Sequence, residues 1–148
     1  MEPRLVHGLI GPDGEVVESF DAPKIVRRAV SSDVARYVSQ ELLVSVVENG
    51  GGRRAQIGPY RVLGKTGTAK LAYRDRGGYE PGAYLSTFMG AAPAGDPEVV
   101  AVVMIRRPNA ALGYYGSTVS APAVGEILSA TLAYLEVPAD ARLALSDQ

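Results

Sequence analysis

Residues 4–20 alternate between apolar and polar positions in short runs. Leu5-Val6-His7-Gly8-Leu9-Ile10 and Glu15-Val16-Val17-Glu18-Ser19-Phe20 flank Gly11-Pro12-Asp13-Gly14. Asp-Gly after Pro supplies the positive-φ position of a tight turn, so 4–20 is predicted to be a β-hairpin. After Asp21-Ala22-Pro23 the period lengthens. Val34, Val38, Leu42 and Val46 recur every fourth residue, and Leu43 and Val47 widen the stripe. Ser31-Ser32-Asp33 offers a capping oxygen and a carboxylate for the positive helix end, and Asn49-Gly50-Gly51-Gly52 stops the pattern. A helix over 32–49 is predicted, about 25 Å long. Three antiparallel strands are predicted within 60–107: Tyr60 to Ala72, Tyr84 to Ala92 and Glu98 to Arg107. A polar Gly-rich loop, Arg74 to Gly82, separates the first two, and the short turn Pro93-Ala94-Gly95-Asp96-Pro97 separates the last two. Val99 to Ile105 is apolar throughout, the pattern of a strand covered on both faces. Ser120-Ala121-Pro122 opens a final helix over 121–135, with Val124, Ile127, Leu128, Leu132 and Leu135 as its stripe, and 139–148 reads as a loose tail. The order is that of an α+β chain, an antiparallel sheet with flanking helices.

Composition narrows the chemistry. A chain of 148 residues fits one domain, taken here as 1–148, and 47% apolar with 21% charged residues excludes a disordered polymer. The absence of Cys excludes a disulfide framework, a thiol nucleophile and a thiolate metal site. The single His, His7, argues against a His-based metal site or a Ser-His-Asp triad. No metal or other cofactor is implied. No apolar run is long enough to span a membrane, and the Met1-Glu2-Pro3-Arg4 start is unlike a signal peptide. Charge is near balance overall but uneven. Residues 51–80 hold seven Arg and Lys against two acids, whereas the rest holds eight against fourteen. A basic third suits either a solvated Arg-rich loop or the handling of an anionic group.

Within that third lies Gly64-Lys65-Thr66-Gly67-Thr68, poor strand material where a strand is predicted. Glycine inside a strand marks close approach of a ligand or another backbone. A fixed cation, two hydroxyls and open backbone together suit a carboxylate or a developing oxyanion. No Gly-x-x-x-x-Gly-Lys-Ser/Thr phosphate loop is present. Strict alternation puts Thr66 and Thr68 on one strand face and Lys65 on the other, so Lys65 must reach around with its long stem or be helped by twist.

Lys-Thr-Gly is the third motif of β-lactamases and penicillin-binding proteins. Here Gly64-Lys65-Thr66-Gly67-Thr68-Ala69-Lys70 is followed by Ser86-Thr87-Phe88-Met89-Gly90-Ala91-Ala92-Pro93 and by Tyr114-Tyr115-Gly116-Ser117-Thr118-Val119-Ser120-Ala121-Pro122. With the leading hairpin and the helix ending at Asn49-Gly50-Gly51, about residues 3–138 resemble the C-terminal part of the transpeptidase domain of class B penicillin-binding proteins, the cell-division and elongation type. The resemblance implies the penicillin-binding protein/β-lactamase-like fold, in which the motif strand lines one wall of the active-site cleft. Lys65 would match the cation that supports proton transfer through the Ser of a Ser-x-Asn motif. Thr66 and Thr68 would match the groups holding the carboxylate of a β-lactam or of the substrate's terminal D-Ala. The Thr68 backbone N–H would match one oxyanion-hole donor, and Gly67 would leave room for ligand and neighbouring backbone. Tyr79, in the expected loop, would touch substrate or serve as a loop anchor. The resemblance also implies a membrane-anchored, extracytoplasmic parent acting on peptidoglycan stem peptides.

Two family motifs are missing. None of the ten Ser residues has Lys three positions later or Asn two positions later. An oxyanion wall without its nucleophile cannot form an acyl-enzyme. The chain is therefore expected to be inactive alone, to need the N-terminal half of the domain as partner, and to self-associate through an uncovered sheet. The competing reading is a non-catalytic module that binds a protein or cell-wall peptide. Other features have plainer readings. His7 faces solvent, Tyr114 and Tyr115 pack beside the last helix rather than stack on bases, and Arg106 and Arg107 reach water. Lys70, Arg74 and Arg76 accompany no nucleic-acid reader module, so no nucleic-acid partner is expected.

Overall fold

The computed structural model describes residues 2–140. The chain divides into two compact units, Met1–Ala35 and Arg36–Gln148, rather than the single unit expected from its length. Burial explains the division, because both clusters of buried apolar residues belong to the second unit. In the first, β1 (Gly8–Ile10) pairs antiparallel with β2 (Val16–Ser19), a shorter hairpin than predicted and one with no buried residue. Its turn is closed by the Gly11 N–H donating to Glu15 O at 2.8 Å, with Gly14 at φ 85°. His7 is exposed and lies 3.1 Å from the Asp21 carboxylate. The Ser19 hydroxyl, then His7, hold that carboxyl below its ordinary range.

The helix predicted over 32–49 forms as three segments: α1 (Ser32–Tyr37), a π-helical stretch (Val38–Leu43) and α2 (Val44–Glu48). Ser31 Oγ accepts the Val34 N–H at 3.3 Å and caps the start. The wider π turn shifts the phase of every later side chain. Leu42 is therefore exposed, as are Val34 and Val38 ahead of the shift, and Val44 and Val47 are the residues that become buried.

In the second unit β3 (Leu63–Ala72), β4 (Tyr79–Ala92) and β5 (Val99–Arg106) form an antiparallel sheet of order β3-β4-β5. β4 starts at Tyr79 rather than Tyr84, because the hairpin ladder runs on to Ala72 opposite Tyr79 and turns at Gly78, φ 96°. The last helix, α3 (Gly116–Tyr134), starts before the predicted 121 and carries Pro122 inside. Proline has no N–H for the carbonyl of Thr118 one turn back. Arg54 Nη1 donates to that carbonyl instead, at 3.4 Å. Val124, Leu128 and Leu132 form one ridge of α3 and are buried with Phe88, Ala101 and Val47. Ile127 and Leu135, also expected in the stripe, lie off this ridge and are exposed.

Among the described residues the opposite sheet face is covered at one end only, where Leu43 and Val44 meet Leu63 and Ala91. This corrects the reading of β5 as covered on both sides. Val100, Val102 and Met104 are 66%, 54% and 66% exposed. Asp140, expected in a loose tail over 139–148, is anchored. Tyr60 Oη donates to Val137 O at 2.6 Å, and the Arg61 N–H donates to the Asp140 carboxylate at 2.5 Å. Residues 141–148 lie outside the described residues. Among the described residues no helix is long and apolar enough to cross a membrane.

Candidate active site

The Lys-Thr-Gly strand is an edge. Among the described residues β3 pairs with β4 alone, with Lys65, Thr66, Gly67 and Thr68 opposite Met89, Phe88, Thr87 and Ser86. Lys65 thus shares a face with Met89 and Val102, and Thr66 and Thr68 share the face covered by α3. The backbone directions follow from one bond. The Arg107 N–H donates to Tyr84 O at 2.8 Å. Strict alternation along both ladders then turns the amide groups of Thr87 and Met89 toward β3, and those of Thr66 and Thr68 toward the open edge.

Lys65 reaches that edge through its stem. Its Nζ donates to Thr66 O at 2.9 Å, so the ammonium curls from one face to the rim of the strand. The rim therefore carries a cation and the Thr68 N–H side by side, with the Thr66 and Thr68 side chains behind them. This resolves the alternation problem: at an edge strand, groups from both faces can meet one ligand lying along the edge.

Thr68 has a second contact that the sequence did not reveal. Its Oγ1 accepts the Gly116 N–H at 3.2 Å, the first N–H of α3. An N-terminal helix N–H lacks an intrahelical partner, and here a strand hydroxyl satisfies it. The helix end also brings partial positive charge to Thr68. Thr68→Val is expected to cost about 1 kcal/mol of stability through loss of this cap, while Thr68→Ser retains it. Urea unfolding midpoints of the two variants check this; equal midpoints would remove Thr68 from the helix start.

The strand is open at Gly67. A Cβ built there meets nothing nearer than Thr87 Cβ at 3.5 Å, an ordinary contact. The close backbone approach is at Gly116, where a Cβ would lie 2.1 Å from Thr87 O and 2.7 Å from Gly67 O. Two buried serines complete this anchoring. Ser86 Oγ donates to Tyr114 O, and Ser120 Oγ donates to Ser86 O at 3.1 Å. A Gly opening a helix, followed by small polar residues, is the sequence signal for this seating.

Tyr79 is not brought to this rim. It lies at the far end of the β3–β4 ladder, opposite Ala72, and is exposed. Tyr114 and Tyr115 are not core residues either. Tyr84 and Tyr114 stack with centroids 4.1 Å apart, and Tyr114 Oη donates to Tyr115 Oη at 3.1 Å. Donation from the neutral phenol, followed by repulsion from Tyr115, pushes the Tyr114 pKa up to about 12. The basic third is dispersed rather than a single patch. Arg61 pairs with Glu48 at 2.8 Å, which raises its pKa, Arg76 lies over the Tyr73 ring at 4.0 Å, and Glu80, an acid of that third, pairs with Arg107 outside it. Among the described residues no cluster of His, Asp and Glu could hold a metal ion.

The family model of the penicillin binding protein transpeptidase domain matches residues 1–129. The probable peptidoglycan D,D-transpeptidase PbpC of Pseudomonas aeruginosa is 40% identical over 115 residues, covering 78% of this chain and 20% of PbpC. Penicillin binding protein 3 of Mycobacterium tuberculosis, solved in complex with ampicillin, superposes with a TM-score of 0.74 at 30% identity, over 92% of this chain and 31% of that one. The transpeptidase domain of Burkholderia pseudomallei penicillin-binding protein 3 gives 0.68 at 33% identity, over 84% and 37%. The chain thus spans between a fifth and about two fifths of the proteins it resembles. Matching sequence, matching fold and the Lys-Thr-Gly strand agree: the chain belongs to the penicillin-binding protein transpeptidase family, in its class B branch.

Proposed function

We propose that this chain supplies the Lys65–Thr68 wall of the cleft of a peptidoglycan D,D-transpeptidase domain. The observation that carries this reading is the meeting of Lys65 Nζ and the outward Thr68 N–H on one open strand edge. In this role a substrate or β-lactam lies along the β3 edge. Thr66 and Thr68 hold its carboxylate through their hydroxyls. When a nucleophilic serine attacks the carbonyl, the oxygen gains negative charge, and the Thr68 N–H donates to it in a site where such donors act strongly. Lys65 supports the proton transfers that accompany acylation.

The nucleophile belongs to another stretch of polypeptide, since no Ser-x-x-Lys and no Ser-x-Asn occur here. That stretch is the partner this reading requires, and stem peptides and β-lactams are the ligands of the assembled cleft. The parent acts outside the cytoplasm, anchored to the membrane. A solved relative of this chain holds ampicillin, which supports the ligand class.

Fluorescent penicillin tests the reading. The chain alone is expected to give no labelled band after denaturation. Co-expressed with the polypeptide bearing the two missing motifs, it is expected to permit labelling that maps to that polypeptide. A denaturation-resistant label on this chain, or no gain on co-expression with a folded complement, would overturn the proposal.

A further inference from the structure

Among the described residues two polar side chains are fully buried, Ser86 and Ser120. A buried hydroxyl is costly unless it is bonded, and alanine at either position would avoid that cost. Both serines lie beside Thr68. Ser86 stands directly opposite Thr68 on β4, so the two side chains share a sheet face. Ser86 Oγ donates to Tyr114 O, and Thr68 Oγ1 accepts the Gly116 N–H at 3.2 Å. One cross-strand pair thus grips both ends of the segment Tyr114-Tyr115-Gly116. Ser120, one turn further along α3, donates to Ser86 O at 3.1 Å and braces the pair from behind.

This grip fixes a proton. A threonine hydroxyl has one O–H and two lone pairs. With the Gly116 N–H on a lone pair, the hydroxyl proton is turned away from that amide, and among the described residues it has no acceptor. Thr68 is itself exposed, so a ligand on the rim can reach this proton. We propose that Ser86 is a positioning residue: by holding the Tyr114 carbonyl it seats the Gly116 N–H on Thr68 Oγ1, which makes the Thr68 hydroxyl a committed donor to a ligand carboxylate. Once the Ser86 bond is lost, the 114–116 segment shifts, the Gly116 N–H leaves Thr68, and the hydroxyl rotates among several orientations. Such positioning matters to the ligand only if Thr68 holds its carboxylate, the role proposed for it in the cleft wall.

Two measurements test it. In the chain alone, amide hydrogen exchange at Gly116 is expected to quicken about tenfold in Ser86→Ala, the loss of one buried hydrogen bond, and to do so beyond any change at Val124 and Leu128, which report opening of the core. Ser120→Ala, an equal truncation whose side chain bonds neither Tyr114 nor Gly116, is expected to leave that exchange near the parent rate. In the domain reassembled with the polypeptide bearing the nucleophile, acylation by a penicillin is compared with acylation by its methyl ester, which lacks the anion. The parent is expected to prefer the acid. Ser86→Ala is expected to reduce this preference about tenfold, by slowing the acid and sparing the ester. In a Thr68→Val background, Ser86→Ala is expected to change the preference no further, because it acts through Thr68. Loss of folded protein lowers both rates alike, so their ratio separates positioning from stability. Unchanged Gly116 exchange in Ser86→Ala, or an acid preference as large as the parent's, overturns the proposal and leaves the Lys65–Thr68 wall standing. A parent domain that labels without preferring the acid overturns the carboxylate role of Thr68 itself.

Discussion

Lys65→Ala is expected to slow acylation of the reassembled domain by fluorescent penicillin roughly 10²–10⁴-fold, the range associated with loss of a group that assists proton transfer. The reason lies in where the ammonium sits. Lys65 leaves the strand on the face shared with Met89, yet its Nζ lies at 2.9 Å from Thr66 O on the open edge. The other cation of β3, Lys70, lies farther along the strand opposite Tyr84, so the variant removes the cation that sits on the rim beside Thr66 and Thr68. The side chain is exposed and holds only this surface hydrogen bond, so folding stability is expected to change by about 0.5 kcal/mol or less. Stopped-flow or gel-based labelling, read beside an unfolding curve, separates the two effects. A labelling rate within about threefold of the parent would remove Lys65 from the chemistry, since each 1.4 kcal/mol of barrier is worth a factor of ten. Lys65→Arg keeps the charge but presents a rigid fork in place of a compact ammonium, and is expected to recover only part of the rate.

Gly116→Ala is expected to destabilise the second unit by about 3 kcal/mol, the upper part of the range for forcing atoms into a packed site. Helix propensity alone predicts the opposite sign, because Ala is favoured over Gly by about 1 kcal/mol in a helix interior. Geometry decides between them. The added Cβ would lie 2.1 Å from Thr87 O and 2.7 Å from Gly67 O, and both oxygens belong to paired strand backbone that has no rotamer to change. Relief requires α3 to rise off the sheet, which stretches the Gly116 N–H to Thr68 Oγ1 bond and loosens Val124 and Leu128 in the core. Gly58→Ala is the control, since no atom lies within 4 Å of its added Cβ. It is expected to be neutral or to stabilise by less than about 1 kcal/mol. A Gly116→Ala midpoint at or above that of the parent in urea unfolding would show that the helix start is not seated on the Gly67–Thr87 pair.

The comparison of the two variants shows what kind of information each residue carries. Lys65 was legible because an ammonium between two glycines in a strand is chemically conspicuous. Gly116 was not, because its importance is a contact with backbone far away in sequence. The same division runs through the fold. Three strands were visible as apolar runs separated by turn residues, and their antiparallel order followed from short connections. The helical stripe misleads from Val38 onward because a π-helical stretch rotates the faces, an event with no clear signature in residue spacing. Pro122 suits a first helical turn, which points to a start for α3 later than the actual Gly116. It is tolerated deeper inside because Arg54, distant in sequence, donates to the carbonyl that Pro122 leaves free. Tyr79 was placed in a loop that the longer ladder of β4 absorbs.

Local chemistry is therefore what this sequence determined by itself: turn residues, capping serine, strand order, and the Lys-Thr-Gly-Thr run with its cation and hydroxyls. Each depends on a residue and its near neighbours, and side-chain type is enough to read them. The tertiary structure alone decided that β3 is an edge, that Lys65 curls to the same rim as the Thr68 N–H, and that Thr68 also holds the first N–H of α3. It also decided that β5, uniformly apolar in sequence, is bare on one face. An edge, a rim and a covered face are relations between elements, and a pattern of apolar positions records only that burial is favoured, not which surface is present to provide it.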